Sequence, residues 1–389
     1  MIWQECSLEE LIDLHDHRRI PLSGVEREKR QGEFRYYGAQ GVIDHIDAYI
    51  FDGEYVLIAE DGENLRSRKK PIAQIASGQF WVNNHAHILQ AKDGVSNNVF
   101  ISALLNWIDI SPFVTGAAQP KLSQGSLKSI KVKAPDAGTQ LQIAAVLSSY
   151  DDLIAINQRR IALLEDAARR LYREWFVHLR FPGYESVPVK DGVPEGWVKL
   201  PLGDVAEITM GQSPESKYYN TDGDGLPFHQ GVSDFGHRFV THETYTKLAT
   251  RVAEAGDILC SVRAPVGRLN LTRDKIAIGR GLSAMRSCAD HQSLLFYQLD
   301  SLFVEEDMIG GGAIFASVGK KELFGQQILQ PSAAIAATFN RLAADIDAQI
   351  ENLDSQNRDL AKARDLLLPK LMSGQLDVSG IALSDEVAT

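Results

Sequence analysis

No stretch of this chain approaches the run of about 20 apolar residues that a membrane-spanning helix requires. Its first residues, MIWQECSLEELIDLHDH, are acidic where a signal peptide would be apolar. Cysteine is scarce: Cys6, Cys260 and Cys288 lie far apart, odd in number and without a CxxC pair. That usage fits a reduced, cytoplasmic setting better than secretion.

Catalytic signatures are missing too. The phosphate loop GxxxxGK[ST] does not occur; Gly319-Lys320-Lys321 lacks the upstream glycine and the hydroxyl residue. Gly279-Arg280-Gly281 is a dinucleotide-loop fragment without its third glycine and reads as a strained turn. A DNA amino-methyltransferase would need a cofactor glycine loop and an Asn/Asp-Pro-Pro-aromatic tetrapeptide, and neither is present. His15-Asp16-His17 and His85-Ala86-His87 each offer two metal ligands and no third, so no metal site is assigned. Glu215-Ser216-Lys217 matches the tail of a nuclease motif that is common by chance. No residue is assigned a catalytic role.

The 389 residues leave room for two or three domains. A net charge of -11 argues against nucleic acid if read as a sum, but its distribution matters more. Lysines 121, 128, 131 and 133 lie in an acid-free run from Gln119 to Pro135, and Arg66, Arg68, Lys69 and Lys70 form a second cluster. Between Arg263 and Arg286 six cations face one acid, Asp274. Much of the acid sits between Asp345 and Asp365, on what reads as a helix. Basic globules on acidic helices still attract phosphate locally.

From Leu147 the apolar positions step by three and four through Tyr150, Ile154, Asn157, Ile161, Leu164, Ala168, Leu171 and Trp175. This spacing predicts a long helix whose seam needs a partner. Adding 196 to the residue number lands on a second copy, with Pro135/Pro331, Asp151/Asp347, Ile154/Ile350, Leu164/Leu360 and Leu171/Leu367 in one register. The second seam runs through Ala343, Ile346, Ile350, Leu353, Asn357, Leu360, Arg364, Leu367 and Leu371. An antiparallel pair with Asn157 opposite Asn357 brings Ile161 to Leu353, Leu164 to Ile350, Leu171 to Ala343, Trp175 to Phe339, Ile154 to Leu360 and Leu147 to Leu367. Tyr150 then faces Arg364. The helix from Asp151 to Val177 would be about 40 Å long, a little more than one turn of B-DNA at about 34 Å.

Each helix follows a large non-helical region. Residues 1–135 form the first globule, 136–180 a central helical region, 181–331 a second globule, 332–376 a distal helical region and 377–389 a loose polar tail. Tyr49 to Ile58 reads as a hairpin about Asp52-Gly53, GQFWVNNHAHIL as one strand, and Val99 to Trp107 as a helix. Trp197 to Leu202 echoes Trp3 to Leu8 at an offset of 194. The expected fold class is therefore α+β: two β-rich domains joined by two long antiparallel helices, with pseudo-twofold internal repetition. Loops rich in Arg, Asn, Gln, Tyr and Ser suit DNA readout. The candidates are Arg35, Tyr36, Tyr37, Asn83, Asn84, His85, Gln119 and Lys121 in the first globule, and Gln212, Ser213, Gln230, Arg238, Arg263 and Arg280 in the second.

Several long segments resemble the specificity (S) subunit of type I restriction-modification systems. YYGAQGVIDHIDAYIFDGEYVLIAEDG, FWVNNHAHIL and GAAQPKLSQGSLKSIKV are similar to one form of that family's target recognition domain; GQSPESKYYNTDGDGLPFHQG, GDILCSVRAPVGRLN and IGRGLSAMR are similar to another. YDDLIAINQRRIALLEDAARRLYREWFVHLRFPG resembles the central conserved helical region and IDAQIENLDSQNRDLAKARDLLLPKLMSGQLD the distal one. The resemblance implies that each globule reads half of a bipartite site in double-stranded DNA while the helices set the gap. It also implies two modification (methyltransferase) subunits docked on the helices and, in some complexes, two restriction (motor-nuclease) subunits. S-adenosylmethionine, ATP and Mg2+ would belong to those partners, with no cofactor bound by this chain. A non-catalytic coiled-coil adaptor without sequence preference and a solitary DNA-modifying enzyme or nuclease are the alternatives.

Overall fold

A computed structural model describes residues 2–305 and 317–381. The chain mixes strands and helices and divides into two units, Met1–Gln158 with Ser355–Thr389, and Arg159–Asp354. The division cuts both long helices, Ala137–Tyr172 and Ala333–Met372, so each unit holds one globule and a segment of each helix. No helix among the described residues is long and apolar enough to cross a membrane.

The first unit is built on a six-stranded sheet in the order Ile12–Leu14, Ala86–Ala91, Phe51–Ala59, Ala73–Val82, Gln31–Gly38, Gly41–Ile46. Side chains on a strand point alternately to its two faces. Val56 and Ile58 therefore enter one core with Phe100, Ile101, Leu104 and Leu105 of helix Asn98–Trp107, while Phe51, Tyr55 and Leu57 join Phe80, Val82 and Ile88 on the other face. Asn97 starts that helix, its side-chain oxygen accepting from Phe100 N at 2.8 Å. Burying a side chain such as Leu104 contributes about 1.5–3 kcal/mol.

Two local expectations are corrected. Asp52-Gly53 is no hairpin tip: Phe51–Ala59 is one strand, and Gly53, at φ +118°, lies opposite Gly78, at φ +82°. The stacked rings of Phe51 and Phe80, 5.6 Å apart, hold the pairing beyond those glycines. Nor is GQFWVNNHAHIL one strand. Asn83 Oδ1 accepts from His85 N at 2.8 Å and closes a turn, after which Ala86–Ala91 returns beside Phe51–Ala59.

The second unit carries a four-stranded sheet, Ala206–Met210, Leu282–Ser287, Ile258–Ser261, Leu269–Leu271. A five-stranded one, in which Leu226–His229 and Ile276–Ile278 run parallel, completes it. Both units share a small motif beside the long helices. In the first, Gln4–Ser7 pairs antiparallel with Lys131–Ala134, flanked by helices Leu8–Leu11 and Gln124–Ser129. In the second, Val198–Pro201 pairs with Gln327–Gln330, flanked by Leu202–Val205 and Lys320–Phe324. Leu8 and Leu202 are fully buried at equivalent places, as are Leu127 and Leu323 within 1%.

In the first unit Leu147 and Leu371 join one core, which Leu367 borders. In the second, Ile161 clusters with Ile350 and Leu353, against which Leu164 and Ile346 pack, and the Trp175 and Phe339 ring centroids are 5.7 Å apart. Leu171 packs on the cluster containing Ala343, while Ile154 and Leu360 are half-buried in the first unit. Asn157 is buried, but the Oδ1 of Asn357 is enclosed and accepts no hydrogen bond, so an Asn157–Asn357 layer is not closed at that atom. Arg364, expected opposite Tyr150, forms an ion pair with the adjacent Asp151. The tail is ordered further than expected: Val378 is fully buried and Gln142 Nε2 donates to Ile381 O at 3.3 Å, whereas residues 382–389 lie outside the described residues.

Candidate nucleic-acid interface

In the second unit, backbone hydrogen bonds gather loops from four strand ends. Gln212 N donates to Ile278 O (2.9 Å), Gly279 N to His229 O (2.8 Å), Arg280 N to Ser213 Oγ (3.1 Å) and Val262 N to Gly281 O (2.9 Å). Gln212, Ser213, Gln230, Arg263 and Arg280 are thereby brought into one group. All but Ser213, which is half-buried, have exposed side chains. The two glycines are required by this crowding. A Cβ on Gly281 would lie 2.4 Å from Gln230 O, and one on Gly279 3.0 Å from Gln230 Cα. Tyr219 supports the group from beneath, its ring 4.6 Å from that of Phe228 and its hydroxyl donating to Pro214 O at 2.9 Å. Burial pushes the Tyr219 phenol up from its ordinary pKa, against the pull of the Arg280 charge.

Most other cations of the basic run are already paired. Arg273 meets Asp354 at 2.7 Å, Arg286 meets Asp257 at 2.6 Å and Lys275 meets Glu254 at 2.7 Å. Arg263, Arg268 and Arg280 are exposed and have no side-chain partner among the described residues. The guanidiniums of Arg263 and Arg280, beside the exposed amides of Gln212 and Gln230, can reach phosphates and base edges.

In the first unit the arrangement is more closed. His85 Nδ1 lies 2.7 Å from Asp61, Lys121 Nζ 3.1 Å from Glu60, and Arg19 2.6 Å from Glu60. Burial works against the charge of Glu60, but hydrogen bonds from Arg19 and Lys121 outweigh it and hold the carboxyl below its ordinary range. Asn84, His85, Gln119 and Lys121 come together on this turn with exposed side chains, and Gly62 N donates to Pro120 O at 3.1 Å. Arg35 is exposed on strand Gln31–Gly38, opposite Phe80.

Four of the candidates are not surface contacts. Tyr36 is 0% exposed, its hydroxyl accepting from Leu22 N at 3.0 Å, and Tyr37 packs its ring against Phe80. Asn83 is buried and spends its oxygen on the turn described above. Arg238 is 5% exposed and bonded to Asp347 and Tyr297. Alternation along the strand sends the two tyrosines to cores on opposite faces of the sheet, where their rings fill volume. Arg66 likewise donates to Gly116 O and Ala117 O, and Arg68 to Ile108 O, so the two arginines of that basic cluster cap backbone carbonyls.

Sequence reasoning missed a buried polar cluster. Asp16, Glu60 and His87 offer oxygen and nitrogen atoms within 4.8 Å of one another. His87 Nε2 donates to Leu122 O at 2.7 Å, and Arg19 lies 3.3 Å from Asp16. The carboxylates are thus neutralised by this chain's own cations. Burial would raise the Asp16 pKa, but hydrogen bonds from His87 and from Ile88 N prevail and lower it.

Residues 2–166 match the family model of the type I restriction modification DNA specificity domain. The chain is 34% identical over 266 residues to a protein of Methanocaldococcus jannaschii provisionally named as the type I restriction enzyme MjaX specificity subunit, covering 67% of this chain and 62% of that one. It is 29% identical over 273 residues to a provisionally named type I specificity subunit, S.HindORF215P, of Haemophilus influenzae, covering 67% of this chain and 66% of that one. The chain thus spans a little under two thirds of the length of both relatives. The crystal structure of a type I restriction-modification S subunit from M. genitalium superposes with a TM-score of 0.56 over 95% of this chain and 96% of that one, at 15% identity. The fold is like that of this S subunit, with strands and helices mixed in two units and a segment of each long helix in both. Over these spans the chain is similar to the specificity subunits of type I restriction-modification systems.

Proposed function

We propose that this chain is the sequence-specific DNA-binding subunit of a type I restriction-modification complex, each globule reading one half of a bipartite site. The carrying observation is the second unit's loop group, in which exposed Gln212, Gln230, Arg263 and Arg280 converge and the arginines are unpaired among the described residues. Amides and guanidiniums in one group match the donor and acceptor pattern of major-groove edges. Asn84, His85, Gln119, Lys121 and Arg35 are the corresponding contacts of the first globule.

The two long helices form an antiparallel pair in this reading. Ile161, Leu164, Ile346, Ile350 and Leu353 supply the seam in one unit and Leu147, Leu367 and Leu371 in the other. The repeated strand pair and short helices beside each globule support a pseudo-twofold repeat, with domains at 1–135, 136–180, 181–331 and 332–376. The pair sets the gap between half-sites and docks two methyltransferase subunits, with two motor-nuclease subunits joining where present. Catalysis, S-adenosylmethionine, ATP and Mg2+ belong to those partners, and this chain makes or breaks no covalent bond.

The test is selection from a random duplex library by the full chain assembled with its methyltransferase partner. Enrichment of two fixed half-sites around an unread gap supports the reading. Enrichment of no sequence would leave the adaptor alternative, and methylation by the chain alone the solitary enzyme.

A further inference from the structure

Arg238, expected at the DNA surface, is turned the other way, and it has a companion. Segments 236–240 and 269–273 are joined by backbone hydrogen bonds, Leu271 N to Arg238 O at 2.9 Å and Val240 N to Leu271 O at 3.1 Å. Together they deliver two arginines to the long-helix segments of the second unit. Arg238 bonds the Asp347 carboxylate of the distal helix, and its Nη1 lies 3.6 Å from Glu165 of the central helix. Arg273 donates from Nη2 to Asp354 at 2.7 Å, with its Nε 3.5 Å from Glu351. Asp347, Glu351 and Asp354, at i, i+4 and i+7, form one acidic stripe along a single helix face.

The geometry is directional. The side chain of Arg238 is 4% exposed and that of Glu165 7%, so these charges are out of water. Apolar side chains would hold such a contact at least as firmly, whereas a buried ion pair demands one geometry. Aromatic rings fix the planes of both guanidiniums: Arg238 lies 4.4 Å from the Phe296 centroid and Arg273 3.3 Å from that of Phe239. Phe239 itself packs against the cluster of Ile161, Ile350 and Leu353, which draws on both helix segments.

We propose that Arg238 and Arg273 are positioning residues that fix the angle and axial seat of the second recognition globule on its helix segments, so that its reading loops meet DNA in one register. The inference rests on the DNA-recognition reading. It deepens that reading by assigning gap discrimination to a clamp remote from the bases.

The experiment uses the full chain with its methyltransferase partner and duplexes whose half-sites are separated by gaps differing by single base pairs. Arg238→Lys keeps the charge and removes the planar fork; Arg273→Gln acts at the less enclosed arm. Hydrogen exchange of segments 236–240 and 347–354 is followed in the same proteins. Both variants are expected to lose about tenfold of the preference for the native gap over its neighbours, with base preferences within each half-site unchanged and exchange faster at both segments. Unchanged exchange at those segments, or faster exchange with wild-type gap preference, overturns the proposal. A wild-type complex with no bipartite preference refutes the DNA-recognition reading instead, and the exchange readout then decides whether the arginines hold the globule at all.

Discussion

The guanidinium carbon of Arg273 lies 3.3 Å from the centroid of the Phe239 ring while its Nη2 donates to Asp354 at 2.7 Å. The arginine is thus fixed by a ring on one side and a carboxylate on its edge. Phe239→Ala removes both the ring and its packing on Ile350 and Leu353. A loss of about 2 kcal/mol is expected, read as a lower denaturant midpoint for the second unit. An unaltered midpoint would mean that the ring contributes nothing to the seat.

Arg263 and Arg280 carry no such framework. Replacing either with alanine should leave thermal stability within error and weaken DNA binding by about 1–3 kcal/mol where the arginine grips a guanine. The slope of log affinity against log salt should also fall by about one where the contact is to phosphate. Arg238→Ala should behave oppositely, destabilising by about 3 kcal/mol, because it removes the buried cation that faces both Asp347 and Glu165. Equal stability losses for Arg238→Ala and Arg280→Ala would contradict the assignment.

Gly281 offers a steric test. A methyl there would sit 2.4 Å from Gln230 O, an immovable backbone atom within the loop group. Gly281→Ala is expected to cost about 1–3 kcal/mol and to reduce DNA affinity more than Gly231→Ala, where nothing lies within 4 Å. Titration of both variants with the same duplex would detect the difference.

His229 makes the second unit sensitive to acid. It is fully buried, with Nδ1 3.0 Å from Asp234 and Nε2 2.9 Å from His242 Nδ1. Burial, opposed by Asp234 and aided by His242, lowers its pKa below the ordinary 6.5. Between the folded and unfolded values the unfolded chain binds more protons, so this stabilisation is complete above about pH 6.5 and is lost as pH falls through the folded value. Unfolding midpoints measured from pH 8 to pH 5 should decline more steeply for the wild type than for His229→Gln. Parallel declines would assign the acid sensitivity elsewhere.

Periodicity was the most legible signal. The helices at 137–172 and 333–372 follow from spacing alone, because a seam of period three and four has no other use over ten turns. The second globule's loops were legible as residue types, and the structure gathers five of its six candidates. Arg238 escaped because its partners, Asp347 and Glu165, are 109 and 73 residues away in sequence. In the first globule, Arg35-Tyr36-Tyr37-Gly38 read as a polar loop from its residue types. Alternation sends the two rings to opposite faces of the sheet, and both faces carry a core, Tyr36 with Ile46 and Trp81 and Tyr37 with Phe51 and Phe80.

Exchange of residues 181–331 for the recognition domain of an unrelated specificity subunit, followed by sequencing of the methylated positions in a host genome, tests two-reader modularity most directly. One half of the target should change while the other half persists. Altered bases in both halves, or an unchanged target, would contradict it.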